Sequence, residues 1–414
     1  MKQNHLLLIM LCLSAFGSLA QTNPLQQILQ QHRADFDSIL QQPERYQVQI
    51  IYTQIDRNHQ NVPVFQTFTY GVDTNLYFYP ASTVKMPTAF LALEKLNDLN
   101  IVGLDKHMPM ITGAARYPQT PAMDDTTSAD GNASIAHYIR KLFIVSDNDA
   151  HNRLYEWLGQ AQLNQRLYEK SYRSTRIVHR LSVSGFDAEA NRYTNPVSFN
   201  GDHKLLYHQG EVYSRWDAPL NLRQQQRGKG YANTEGNIVK SPFDFRGRNF
   251  ISLPDLHRIL QAIVLPEATP PSARFRLQES DYRFLWRCMS ELPRESHYPH
   301  YPKADYPDGF VKFFLFGDTK DPMPDHIRIF NKVGVAYGFL TDVAYVVDFD
   351  NQVEFLLSAT IHVNANETYN DGIYEYESVG LPFLAKLGRA VYAYERNRPR
   401  AHQPDLSRYR ALVE

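Results

Sequence analysis

A serine and a lysine stand three positions apart in "YPASTVKMPTAFLALEKL", residues 79–96, where the apolar spacing predicts the start of a helix. Helical positions three apart share a face, so the Ser82 hydroxyl and the Lys85 amine can exchange a proton. A serine hydroxyl attacks a carbonyl poorly unaided, and an amine assists it only when neutral. Neutrality near pH 7 requires burial or a nearby cation to bring the lysine down from about 10.4. The free N–H groups of a helix start also favour developing negative charge. The spacing has a plain alternative, because a chain of 414 residues holds about one or two S-x-x-K patterns by chance. Pro87, whose missing N–H frees the Thr83 carbonyl, should also bend the second turn.

Two distant stretches raise the same choice. In "VSDNDAHNRLYEWL", Ser146, Asp147 and Asn148 precede an amphipathic helix, and all three are favoured capping residues. In "FNKVGVAYGFLTDVAYVVD", Lys332 and Gly334 close one strand-like run just before another. A glycine there lets a ligand approach the backbone, and an edge strand can pair with a peptide-like substrate. Equally, Gly334 and Gly338 can be turn glycines and Lys332 a solvated edge charge.

The order of the three stretches and their predicted elements agree with one another. Through "PASTVKMP", "IVSDNDAHNRL" and "NKVGVAYGFLTDVAYVV" the chain resembles the penicillin-recognising serine hydrolases, above all class A β-lactamases and their DD-peptidase relatives, from about Tyr46 to Asp350. The resemblance implies an acylated nucleophile at Ser82, a base or proton relay at Lys85, and a proton donor to the leaving nitrogen at Ser146. It implies substrate binding by Asn148, Lys332 and Gly334, with Lys332 supplying positive charge beside Ser146. The oxyanion would rest on the backbone N–H groups of Ser82 and Val335. A Lys332 ammonium near Lys85 should help keep that amine neutral.

The pattern departs from the family in two places. Val333 replaces the usual threonine, and a lost hydrogen bond to a substrate carboxylate would weaken penicillin binding by about tenfold to more than a hundredfold. The E-x-x-L-N pattern that carries the deacylating glutamate is not found. Glu189 and Glu211 fall in the right stretch as candidate deacylation acids, or are exposed loop acids. Without water activation an acyl-enzyme would form and release slowly.

The elements around these residues follow from periodicity. Residues 24–41 predict an amphipathic helix, "YQVQIIYTQI" and "VPVFQTFTYG" a hairpin, and most of 82–165 helices. From about Ser171 to Phe250 periodicity fades into a loop-rich stretch expected to pack over the site. Helices return in "SLPDLHRILQAIV" and "YRFLWRCMSEL", three strands follow, and "SVGLPFLAKLGRAVYAYE" predicts a last helix. The expectation is an α/β (α+β), β-lactamase/transpeptidase-like fold. An antiparallel sheet drawn from both chain ends, 21–81 plus about 250–414, would be flanked by helices and carry an inserted helical lobe at 82–250, with the loop-rich insertion at about 171–250.

Composition bounds the function. A chain with 43% hydrophobic and 21% charged residues and a net charge of -1 has the balance of a folded protein and gives no sign of a polyanion-binding surface, so nucleic acid is not expected as a partner. Residues 1–20, with Lys2, an apolar run and small residues at Ser18 and Ala20, predict a secretory signal, hence a periplasmic or secreted protein not held in a membrane. Cys12 would leave with it, and Cys288 alone cannot form an internal disulfide and is expected to be buried and inert. His297 and His300 lack a neighbouring carboxylate motif, so no metal or cofactor is expected. Three functions stay open: a serine hydrolase acting on a β-lactam or related amide, a DD-peptidase or esterase on cell-wall peptides or small esters, and a binding protein of the same fold.

Overall fold

The computed structural model describes residues 23–201, 204–217 and 219–412. The expected signal segment and Cys12 lie outside the described residues. A five-stranded antiparallel sheet organises the rest: β1 (Gln49–Arg57), β2 (Pro63–Tyr70), β3 (Ile327–Ala336), β4 (Phe339–Asp348) and β5 (Val353–His362), in the order β3-β4-β5-β1-β2. Both chain ends therefore meet in one sheet, and β3 is left as an edge. Tyr337 and Gly338, both at positive φ, join β3 to β4 as a two-residue hairpin closed by Ala336 and Phe339.

Strand alternation divides the core into two layers. Ile327, Ile329 and Val333 of β3 face one layer with Leu340, Phe355 and Leu357, covered by α1 (Pro24–Gln31), α2 (Arg33–Leu40) and the last long helix, Leu381–Asn397. Phe330, Val343, Tyr345 and Leu356 face the other layer, which continues into the helices between the sheet's two parts. With both faces covered, β4 and β5 are buried along their full length. That is why they read as near-continuous apolar runs.

The helices that carry the site are α3 (Lys85–Leu99), α4 (Ile135–Ile144), α5 (Asn148–Leu158) and α6 (Gln160–Glu169), and α3 packs on both α4 and α5. Three predicted segments are divided differently in the structure. The helix expected over 24–41 breaks at His32. The run from Ala150 to Lys170 is two helices parted by Gly159, whose φ of +78° and contact with Thr194 leave no room for a β-carbon. The stretch from 171 to 250 holds several short strands, among them Thr175–Arg176 paired with Phe250–Ile251, and Val197–Gly201 paired with Lys204–Gln209. Cys288 is buried as expected, and burial pushes its thiol up. No helix among the described residues is long and apolar enough to cross a membrane.

Candidate active site

Ser82 lies in a 3-10 turn, Ala81–Val84, and Lys85 opens α3 directly behind it. In a 3-10 turn residues i and i+3 eclipse, so the two side chains share a face. Pro87 then falls in the first turn of α3 rather than the second, where its missing N–H disturbs no helical bond. Ala81 sits at φ +46°, a left-handed conformation that a non-glycine residue adopts at a cost of about 1–3 kcal/mol. Thr83 holds the turn by donating both its N–H (3.0 Å) and its hydroxyl (2.7 Å) to the Pro80 carbonyl.

The Ser146–Asn148 stretch divides its tasks. Asp147 alone is the N-cap of α5, accepting from the Ala150 N–H at 2.8 Å. Ser146, at φ +61°, and Asn148 are thereby free to turn toward Lys85. Lys85 Nζ donates to the Ser146 carbonyl and to Asn148 Oδ1 (2.7 Å), and lies 3.3 Å from Ser146 Oγ. A neutral amine has two N–H groups and one lone pair. The two oxygens occupy the N–H groups, and the lone pair is left for a hydroxyl. Lys332 Nζ reaches the same Ser146 Oγ at 2.8 Å and the Val333 carbonyl at 2.9 Å.

Both ammonium groups are almost fully enclosed. Burial lowers Lys85 to about 7, against the opposing pull of the Asp147 carboxylate. Burial first, and then repulsion from Lys85, brings Lys332 well below its usual range. Desolvation is the larger cause for both lysines, and repulsion between the two amines disfavours their being charged together.

The edge strand contributes backbone. Gly334 has no space for a side chain, since a β-carbon would stand 2.3 Å from the Pro80 carbonyl and 3.2 Å from Ser82 N. The glycine therefore lets the Ser82 turn, rather than a ligand, approach the strand. In the β3–β4 hairpin the closing pair Ala336 and Phe339 exchanges hydrogen bonds, so its neighbour Val335, opposite Leu340, directs its N–H outward from the free edge. Ser82, Asn148 and Val335 line a cavity of about 1050 Å³ that Tyr79, Tyr337 and Asp187 also border. Gly334→Ala should destabilise the fold by about 1–3 kcal/mol and, by displacing Ser82, slow its acylation about a hundredfold. Urea denaturation and acylation rates measure the two effects.

With this geometry in hand, residues 33–229 match the model of the beta-lactamase enzyme family. This chain is β-lactamase-like. The matched stretch holds Ser82, Lys85, Ser146 and Asn148, while Lys332 to Val335 lie beyond it. Solved structures similar to the β-lactamase-like chain include a beta lactamase from Xanthomonas campestris pv. campestris, 14% identical, with 88% of this chain and 97% of that one covered and a TM-score of 0.47. Another is a class A beta-lactamase from Clostridium kluyveri, 14% identical, with 88% and 98% covered and a TM-score of 0.46. No curated protein matches the sequence.

Neither expected deacylation acid borders the cavity of this β-lactamase-like chain. Glu189 is exposed and stands 3.9 Å from Arg192. Glu211 is held bidentate by Arg116, with both contacts at 2.6 Å. The acid that does border it in this loop is Asp187, whose carboxylate also accepts the Ala190 N–H at 2.7 Å. Asn191 holds the loop from within, donating to the Asp187 carbonyl (2.8 Å) and accepting the Arg180 N–H (2.9 Å). The stretch "DAEAN" has the spacing of E-x-x-L-N, with aspartate for glutamate and alanine for leucine. Relaxing those two positions is the signal that finds it.

Val333 faces the core layer under α1 and the last long helix, on the side of β3 opposite Lys332, and does not border the cavity. A threonine hydroxyl there would not meet a ligand. Val333→Thr is accordingly expected to leave penicillin acylation within about threefold of wild type, against the tenfold or greater gain that a cleft-facing hydroxyl would bring.

Proposed function

We propose that the protein is an exported serine hydrolase that acylates Ser82 with a β-lactam or related amide. The observation that carries this reading is the convergence of two buried lysines on one hydroxyl, Ser146 Oγ, at 3.3 and 2.8 Å. A neutral Lys85 takes the Ser82 proton as Oγ attacks the carbonyl carbon, and the oxyanion rests on the N–H groups of Ser82 and Val335. The proton then passes from Lys85 through Ser146 to the leaving nitrogen as the C–N bond breaks. Asn148 orients the substrate amide, and Lys332, relieved of repulsion while Lys85 is neutral, holds the positive charge beside Ser146. Asp187 takes a proton from the water that attacks the ester, and Ser82 leaves as the alcohol. Export rests on the signal-like first twenty residues.

Intact mass after incubation with a fluorescent penicillin tests the reading. The expected result is one acyl adduct on the wild type and none on Ser82→Ala. An unlabelled wild type at high probe concentration, or a labelled Ser82→Ala, contradicts it.

The cavity volume, about 1050 Å³, lies at the upper end for small-molecule sites and favours a second reading of the same chemistry, with a peptide amide or ester as substrate. Hydrolysis of D-alanyl-D-alanine peptides or small esters without nitrocefin turnover would select that reading, and rapid nitrocefin turnover would select the first.

A further inference from the structure

Five arginines border the cavity that holds Ser82, and they are not equivalent. Arg180 is spent on Glu156 at 2.9 Å, and Arg246 is held by Asp244. Arg192 donates to the carbonyls of Ser214 (3.1 Å) and Trp216 (3.0 Å) and stands near Glu189. Arg176 and Arg248 have no carboxylate within salt-bridge distance among the described residues. They are neighbours by construction, because Thr175–Arg176 pairs with Phe250–Ile251, and one Arg176 guanidinium nitrogen donates to the Arg248 carbonyl at 3.2 Å. Arg176 Nε is buried with no partner, and the Arg248 guanidinium lies 5.6 Å from the Phe243 ring centroid.

A half-buried guanidinium without an anion carries a desolvation cost that a bound carboxylate would offset, and its planar fork suits that group. The imidazole that borders the same cavity cannot fill the role. His179 Nδ1 donates to the Arg180 carbonyl (2.6 Å) and Nε2 accepts the Asn249 N–H (3.1 Å). Two carboxylates, Asp187 and Asp217, border the same cavity, and they oppose a dianion more strongly than a monoanion. That balance selects a carboxylate over a phosphate.

The geometry points to Arg176 and Arg248 as the subsite for a carboxylate on the acyl portion of the substrate, making the substrate class an acidic peptide-like amide. The assignment rests on the acyl-transfer reading above. It adds a specificity determinant apart from Lys332 and the proton-handling groups.

The test separates binding from acylation. N-succinyl-D-alanyl-D-alanine and its N-butyryl analogue differ by one acyl-side carboxylate, and calorimetric binding of each to Ser82→Ala needs no chemistry. The expected result is at least about tenfold tighter binding of the succinyl peptide, consistent with charge-assisted hydrogen bonds. The preference should fall to near unity in Ser82→Ala carrying Arg176→Met and Arg248→Met. Arg248→Gln alone, at a side chain whose one contact found among the described residues is the Phe243 ring, should remove part of it with the melting temperature unchanged. Equal affinity for the two peptides, no binding of either, or a preference that survives both substitutions overturns the subsite. Failure of the wild type to acylate with any penicillin would instead count against the acyl-transfer reading and leave the binding comparison standing.

Discussion

Lys85→Met is expected to lower the acylation rate of Ser82 by about 100- to 10,000-fold, the usual contribution of a positioned general base. The methionine keeps most of the buried volume, so the loss reads on proton transfer rather than on folding. The pH profile should carry the same residue's signature. With Lys85 lowered to about 7 by burial, the neutral fraction is the active one, so acylation rises as pH increases through 7 and levels off above 8. Between pH 8 and pH 6 the rate should fall about tenfold, following the fraction of neutral amine. The sign is the opposite of that expected for an ammonium acting as a general acid. Stopped-flow acylation by a chromogenic penicillin across this range checks it, and a flat profile would remove Lys85 as the base.

Asp187→Asn is expected to separate the two half-reactions. Acylation of Ser82 should proceed at a rate within a few fold of wild type, while release of the acyl group slows by about 100- to 10,000-fold. Intact mass after a brief pulse of penicillin would then show an adduct that persists for long after the wild type has cleared. Glu189→Gln and Glu211→Gln serve as controls. Neither borders the cavity, and Glu211 is fixed by Arg116, so neither should trap the adduct. Turnover by Asp187→Asn at the wild-type rate would assign water activation to another group.

The long elements were legible for different reasons: β2 alternates between half-buried aromatic and exposed positions, whereas β4, β5 and helix α3 are buried on nearly all sides and read as long apolar runs. The stretch from 171 to 250 was not legible as strands, because a strand of two or three residues is too short for alternation to register. Within the site, residue types indicated what Ser82, Lys85, Ser146 and Lys332 could do, but not which of Ser146, Asp147 and Asn148 would cap the helix. Backbone geometry made that choice, with Asp147 on the helix and Ser146 in a left-handed conformation. The facing of Val333 follows from strand alternation, which puts it on the side of β3 opposite Lys332 whatever the motif around it. Asp187 is not legible from the glutamate pattern, because aspartate and alanine stand at two of its positions. The two unpaired arginines were hidden because their neighbours come from strands that sequence spacing does not reveal.

The contact of Gly334 with Pro80 has a mechanical consequence. The turn bearing Ser82 and the strand bearing Val335 touch with no side chain between them, so the proposed nucleophile and the proposed second oxyanion donor are coupled as one rigid fitting. Ser146 and Asn148, by contrast, come from the head of α5, and reach Lys332 only through a hydroxyl. A small displacement of α5 from the sheet would open the proton path while leaving the anion cradle assembled. Loosening the protein with mild denaturant should therefore slow acylation before it weakens the grip on a tetrahedral boronate already seated on Ser82.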